Sequence, residues 1–128
     1  MHKRILDVGN CQPDHSAIKS LLTRHFDCEV VQAHDAEDAL AELRSGGYDL
    51  VLVNRKLDRD YSDGIEVIRE IKADQGVGDV PCMLVTNYPA HQDAAVQAGA
   101  VRGFGKLEFE RPATVDRLRS VLEPVPKT

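Results

Sequence analysis

Asp49-Leu50-Val51-Leu52-Val53-Asn54 is the stretch whose reading decides the fold. Leu50 to Val53 is an apolar run with no polar alternation, as a strand requires when both of its faces are covered. Such a strand belongs inside a sheet with helices on both sides, and its neighbours read as helices. Upstream, Asp35 suits the cap of a helix that carries Ala36, Ala39, Leu40 and Leu43 on one face and stops at Gly46-Gly47. Downstream, a helix follows Gly64 with Ile65, Ile68 and Ile71 inward and ends near Gly76.

The alternation continues to both ends of the chain. Ile5-Leu6-Asp7-Val8 is strand-like, and residues 14–26 set Ile18, Leu21, Leu22 and His25 on one helical face. Cys28 to Ala33 is a more polar strand suited to a sheet edge. Val80-Pro81 leads into a buried run, Cys82 to Val85, and a small-residue helix from Pro89 to Ala98 closes at Gly99. Val101 to Gly105 is a weak fifth strand. Pro112 suits the first turn of a last helix with Val115, Leu118, Val121 and Leu122 as its apolar stripe. Five strand–helix units in strict alternation predict an α/β fold, a doubly wound parallel sheet with helices on both faces. A single domain is expected over 1–123, with a tail at 124–128.

The formal charge of −5, from 16 basic and 21 acidic residues, gives no footprint for nucleic acid and no polybasic surface for a membrane. No apolar run reaches transmembrane length, and no secretory signal precedes Ile5, so a cytoplasmic location is expected. Cys11, Cys28 and Cys82 form no C-x-x-C pair and read as buried or half-buried packing thiols. His2, His15, His25, His34 and His91 show no metal-binding spacing, and no nucleophile–base pair stands out, so no enzyme is expected.

In an open sheet of this kind, ligands gather at the carboxyl ends of the strands. Those ends are Gly9-Asn10, Asn54 with its loop, Thr86-Asn87 and Gly105-Lys106. Over nearly its whole length the sequence resembles the receiver domain of bacterial two-component response regulators. The resemblance rests on Ile5-Leu6-x-Val8, Asp49 to Val53, Gly64-Ile65-Glu66-Val67-Ile68, Val80-Pro81 with Thr86, and Gly99-Ala100 with Lys106. It implies a flavodoxin-like, CheY-like sheet of strand order 2-1-3-4-5. It also implies protein partners in a signalling pathway, such as an output domain or a histidine kinase.

An active member carries two acids after the first strand, a phosphoacceptor aspartate ending the third, a Ser or Thr after the fourth and a lysine after the fifth. Carboxylates hold Mg²⁺, one of them attacks phosphorus, and the hydroxyl and ammonium stabilise the charged oxygens. Here the acid pair falls on Gly9 and Asn10 and the phosphoacceptor on Asn54, while Thr86 and Lys106 remain. An amide has no carboxylate oxygen with which to form the mixed anhydride, so Mg²⁺ binding and phosphorylation are not expected. Leu107 follows Lys106 where the family has proline, and Gly103 stands where the family has an aromatic switch residue. Phe104 alternates to the other face. A degenerate receiver working through protein contacts is therefore expected. The rival is a receiver still phosphorylated or metal-binding through Asp7 or the acids Asp58, Asp60 and Asp63 of a loop about two residues longer than usual. A third reading is a flavodoxin-like domain that binds a small ligand.

Each singled-out residue also has a plain structural role. Lys106 is expected to pair with a pocket oxygen such as that of Asn54 or a backbone carbonyl. Thr86 either faces the pocket or bonds the local backbone. Asp7 is either a relocated pocket acid above the space left by Gly9, or an acid paired with a nearby cation or reaching solvent at a shallow strand position. Lys56 and the loop acids read as solvated. His91, Gln92, Arg102, Asp116, Arg117 and Ser120 are expected to form a polar rim for a partner, on a surface flattened by Gly103 and Gly105.

Overall fold

The computed structural model describes residues 2–123, so the tail expected at 124–128 lies outside the described residues. The chain runs β1 (Lys3–Val8), α1 (Gln12–His25), β2 (Cys28–Ala33), α2 (Ala36–Arg44), β3 (Leu50–Asn54), α3 (Gly64–Ala73), β4 (Cys82–Val85), α4 (Pro89–Gln97), β5 (Val101–Phe104) and α5 (Pro112–Leu122). The strands pair in parallel in the order β2-β1-β3-β4-β5, the order expected, with β2 at an edge.

The unbroken apolar run of β3 now has its cause. Val51 and Val53 pack with Leu6, Val8 and Leu84 against Ala39, Leu43, Ile68, Ile71 and Ala95 of α2, α3 and α4. Leu50 and Leu52 point the other way and pack with Ile5, Met83 and Phe104 against Ile18, Leu22, Leu118 and Leu122 of α1 and α5. Truncating a fully buried side chain such as Leu52 to Ala would cost about 2–5 kcal/mol, transfer and cavity terms together.

Local chemistry sets the ends. Asp35 caps α2 by accepting from Asp38 N (2.8 Å), and Asp63 caps α3 by accepting from Ile65 N (2.9 Å). Helix α3 stops at Ala73, before the expected Gly76, because Asp74 turns extended and its carboxylate accepts from Gly76 N. Strand β5 stops at Phe104, and Gly105 begins a single tight turn over Lys106–Glu108. His25 is a correction: it is exposed in the polar last turn of α1, and Phe26 takes the inward place. Cys82 is buried and Cys28 half-buried, but Cys11 is exposed at the N-cap of α1, where its thiol lies 3.3 Å from Asp14 Oδ2. Among the described residues no helix is long and apolar enough to cross a membrane.

Candidate functional site

The carboxyl ends of β1, β3, β4 and β5 converge at one edge, where two loops close over them. Gly9 leaves β1 with φ +77°, a left-handed conformation that favours glycine. No space lies above it, contrary to the expectation: a Cβ there would stand 2.4 Å from Leu57 Cγ. The long loop after β3 accounts for this. It folds back through Leu57 N to Ser62 O (3.0 Å) and a bridge between Lys56 and Asp63, which drives Leu57 fully inside. Asp58 N then donates to Gly9 O (2.9 Å), fastening the loop to β1.

Asp7 is fully buried on the α1 side of the sheet. Its Oδ1 accepts from Asn10 Nδ2 at 2.6 Å, and its Oδ2 lies 2.7 Å from His15 Nδ1 on α1. Burial pushes its carboxyl above the ordinary value, against the pull of the Asn10 and His15 hydrogen bonds. Asn10 is itself fully buried, and Gln32 Nε2 donates to its backbone carbonyl at 3.2 Å.

Asn54, at the end of β3, spends its amide on the backbone. Nδ2 donates to Lys56 O (2.7 Å) and Gly9 O (3.2 Å), and Oδ1 accepts from Arg55 N (3.0 Å). Thr86 is buried and its hydroxyl accepts from Tyr88 N (3.3 Å). Lys106 does not meet Asn54. Its ammonium pairs at 2.7 Å with Asp14 Oδ2 in the first turn of α1, because that turn rises beside the end of β5. Although partial burial pushes the other way, hydrogen bonds from Lys106 and Cys11 hold the Asp14 carboxyl below its ordinary value. The loop acids go separate ways: Asp58 pairs with His34 (3.4 Å), Asp60 accepts from Ser62 N, and Asp63 caps α3. Lys56 is exposed, as expected.

The six expected rim residues are not one surface. Gln92 is buried, a correction: Nε2 donates to Leu84 O (2.9 Å) and Thr86 O (3.3 Å), and Oε1 accepts from Gly103 N (2.9 Å). The pairing of β4 with β5 is irregular between Met83 and Val85, which leaves these backbone groups for a side chain to satisfy. Arg117 is also only partly exposed, with Nη1 donating to Gly103 O (2.5 Å). His91 turns toward Arg55, whose Nε donates to His91 Nε2 (3.3 Å). Asp116 borders a separate hollow with His25 and Glu110, and Ser120 donates to its own helix at Arg117 O. Arg102 and Arg117 do come together, with Arg111, around a cavity of about 350 Å³ between α4, β5 and α5. Gly103 and Gly105 are there for close approach, not flatness: their Cβ atoms would meet Leu84 O at 2.2 Å and Asn87 Oδ1 at 2.0 Å.

Sequence reading misses Asp14, His15, Leu57 and Arg111. A signal for the first two exists, since a helix starting after only three residues past β1 turns its first-turn side chains toward the strand ends. Leu57 has none, because only the loop's folded path turns it inward.

The sequence profile of the response regulator receiver domain matches residues 12–119, a span that begins just past Gly9 and Asn10. The transcriptional regulatory protein ZraR of Salmonella typhimurium is 32% identical over 111 residues, covering 85% of this chain and 23% of that protein. The chain thus spans about a quarter of that relative's length. The chemotaxis protein CheY of Pseudomonas aeruginosa is 25% identical over 124 residues, 95% of this chain and 98% of that one. The crystal structure of a putative response regulator from Chloroflexus aurantiacus superimposes with a TM-score of 0.81 at 20% identity, over 95% of this chain and 98% of that one, a likeness of fold. Profile, relatives and strand order agree, and the chain belongs to the response regulator receiver domain family of two-component signalling.

Proposed function

We propose that this receiver domain signals through protein contacts without a phosphoryl switch and without catalysis of its own. The observation that carries the reading is Asn54. It ends β3 where the acceptor carboxylate belongs, and its amide is consumed by Gly9 O, Lys56 O and Arg55 N. Phosphoryl transfer to this position needs a carboxylate oxygen that attacks phosphorus and forms a mixed anhydride as the donor's leaving group departs; an amide supplies none.

The neighbours support the same reading. Mg²⁺ asks for carboxylate or other oxygen ligands in near-octahedral array. The residues at the strand ends do not fit it: Gly9 has no side chain, Leu57 fills the space beside it, and Asn10 is turned to Asp7. Lys106 already has a carboxylate partner in Asp14. Against the rival, both oxygens of Asp7 are engaged below the surface, and the loop acids are held by three separate partners. An output domain or a histidine kinase is the class of partner proposed.

Incubation with acetyl phosphate and Mg²⁺, read by intact mass, tests this. No phosphoryl adduct is expected. A stoichiometric gain of one phosphoryl group, mapped to Asp7 or the 58–63 loop, would overturn the reading in favour of the rival.

A further inference from the structure

We infer that the first turn of α1 is a proton-gated latch over the strand ends, closed while Asp7 holds its proton and loosened when Asp7 ionises; this does not depend on the reading proposed above. The geometry starts with burial. Asp7 and Asn10 have no solvent exposure, and His15 covers them from α1 with only 8% of its own surface exposed. Protonated, Asp7 donates from Oδ2 to His15 Nδ1 at 2.7 Å; ionised, it needs Nδ1 to donate instead. Asn10 Nδ2 donates to Oδ1 at 2.6 Å in either state. These two donors do not offset the loss of water around a carboxylate, so burial pushes the Asp7 carboxyl above its ordinary value.

The surroundings give an ionised Asp7 no further help. His15 and Asp14, both on α1, are the titratable groups that bear on it, and the negative charge of Asp14 works against ionisation. Its partners across the sheet, Gln32 of β2 and Leu52 of β3, carry no charge, and the core on this face is apolar. Lys106, after β5, reaches Asp14 and not Asp7. Asn10 Oδ1 is also buried, with no hydrogen-bond partner among the described residues, so water entering here would satisfy two acceptors at once. An ionised Asp7 is therefore solvated at least cost by moving the element that covers it.

That element is weakly held. Cys11 gives α1 no side-chain cap, Pro13 has no N–H to donate, and the opening bond of the helix runs from His15 N to Cys11 O at 2.8 Å. The turn is otherwise tied to the sheet through Asp14 and Lys106, a partly exposed pair at 2.7 Å. Loosening the turn also loosens the hold on the Lys106 ammonium. Proton release at Asp7 thereby changes the charge presented at the ends of β1 and β5.

Hydrogen exchange of the full chain, followed by NMR, tests this, with protection at each pH taken relative to an unstructured amide at that pH. Asp7 stabilises the closed turn fully below its unfolded value of about 3.9, and less as pH rises through its raised folded value. Protection of the His15 amide should therefore fall at least tenfold between pH 4 and pH 8, and by no more than tenfold per pH unit, as loss of one proton requires. The same fall should be seen in 1 M urea, because a local opening exposes little surface. Asp7→Asn, of the same shape and with no proton to lose, should show no fall. The Asp7 carboxyl carbon of the unmodified chain, followed by ¹³C NMR, should titrate over the same range, which decides the matter even if that variant does not fold. Protection independent of pH, a fall that survives in Asp7→Asn, exchange at His15 as urea-sensitive as at the core residue Ile68, or a carboxyl carbon titrating at or below about 3.9 would each overturn the inference.

Discussion

Gln92→Leu removes the polar peg between α4 and the ends of β4 and β5 while nearly conserving its bulk. In the parent, one buried amide satisfies Gly103 N (2.9 Å), Leu84 O (2.9 Å) and, more weakly, Thr86 O (3.3 Å). After substitution the Gly103 N–H is buried with no partner, a penalty of about 1–3 kcal/mol, and the carbonyls lose a donor worth about 1 kcal/mol. Leucine's greater hydrophobicity offsets part of this, leaving an expected loss of about 2–3 kcal/mol. For a domain of this size that corresponds to a melting temperature lower by roughly 10 °C. Urea unfolding followed by circular dichroism should show a lower midpoint with an unchanged slope. Gln92→Glu separates hydrogen bonding from size. It keeps an acceptor for Gly103 N but, once ionised, aims a carboxylate at two carbonyls, which raises its folded-state pKa. Its stability should therefore be full below its unfolded pKa and fall as pH rises through the folded value. A Gln92→Leu loss below about 0.5 kcal/mol would refute the role given to this side chain.

Asp7 and Asp14 should act oppositely with pH. The Asp7 carboxyl is raised by burial, so its contribution is complete below the unfolded value of about 3.9 and is lost as pH rises through its folded value; Asp7→Asn should flatten urea midpoints over that range. The Asp14 carboxyl is lowered in balance by its hydrogen bonds, so its contribution holds above the unfolded value and is lost as pH falls, and Asp14→Asn should remove that acid limb. Thiol labelling at pH 8, counted by mass, should modify exposed Cys11 first and Cys28 later. Cys82, buried and with its thiol pushed up to about 11, should react only on unfolding. Gly9→Ala should destabilise by more than about 1 kcal/mol through its positive φ and the Leu57 contact, and Leu57→Ala in the same chain should recover only the part due to Leu57 Cγ, since Leu57 Cα and Cβ would still stand 2.8 and 2.9 Å from the new methyl, as a double-mutant cycle would resolve.

The framework was legible because its signals are local. Leu50 to Val53 has no polar residue for the simple reason that successive side chains enter two different cores. Asp35 and the Gly46-Gly47 stop are likewise written in the residues that perform them. The polar residues read less well. Helical spacing places Gln92 correctly on α4 but says nothing of the carbonyls left open by the irregular β4–β5 pairing, and these decide that it turns inward. Sequence points Lys106 at a pocket oxygen, of Asn54 or a backbone carbonyl; its partner, Asp14, lies 92 residues away on α1. His25 fits the apolar stripe of α1 by number, yet the stripe ends one turn earlier and Phe26 closes the core.

On the proposed reading, the changes at the strand ends are coupled. Had the site only lost charge, the outcome would be a void beside Gly9 and an ammonium at Lys106 with nothing to pair with, both costly in a packed domain. Instead Leu57 occupies the place beside Gly9, the Asn54 amide ties β3 to the Gly9 carbonyl, and Asp14 neutralises Lys106. Groups that in an active receiver stay available to Mg²⁺ and a phosphoryl oxygen here hold the loop after β3 and the first turn of α1 onto the sheet. On the proposed reading this makes the change hard to undo. Gly9→Asp, Asn10→Asp and Asn54→Asp together restore three carboxylates, but the first collides with Leu57 and must adopt a positive φ, the second puts a carboxylate beside buried Asp7, and the third loses both amide donations. Charge restored at the old positions acts against packing that now depends on its absence.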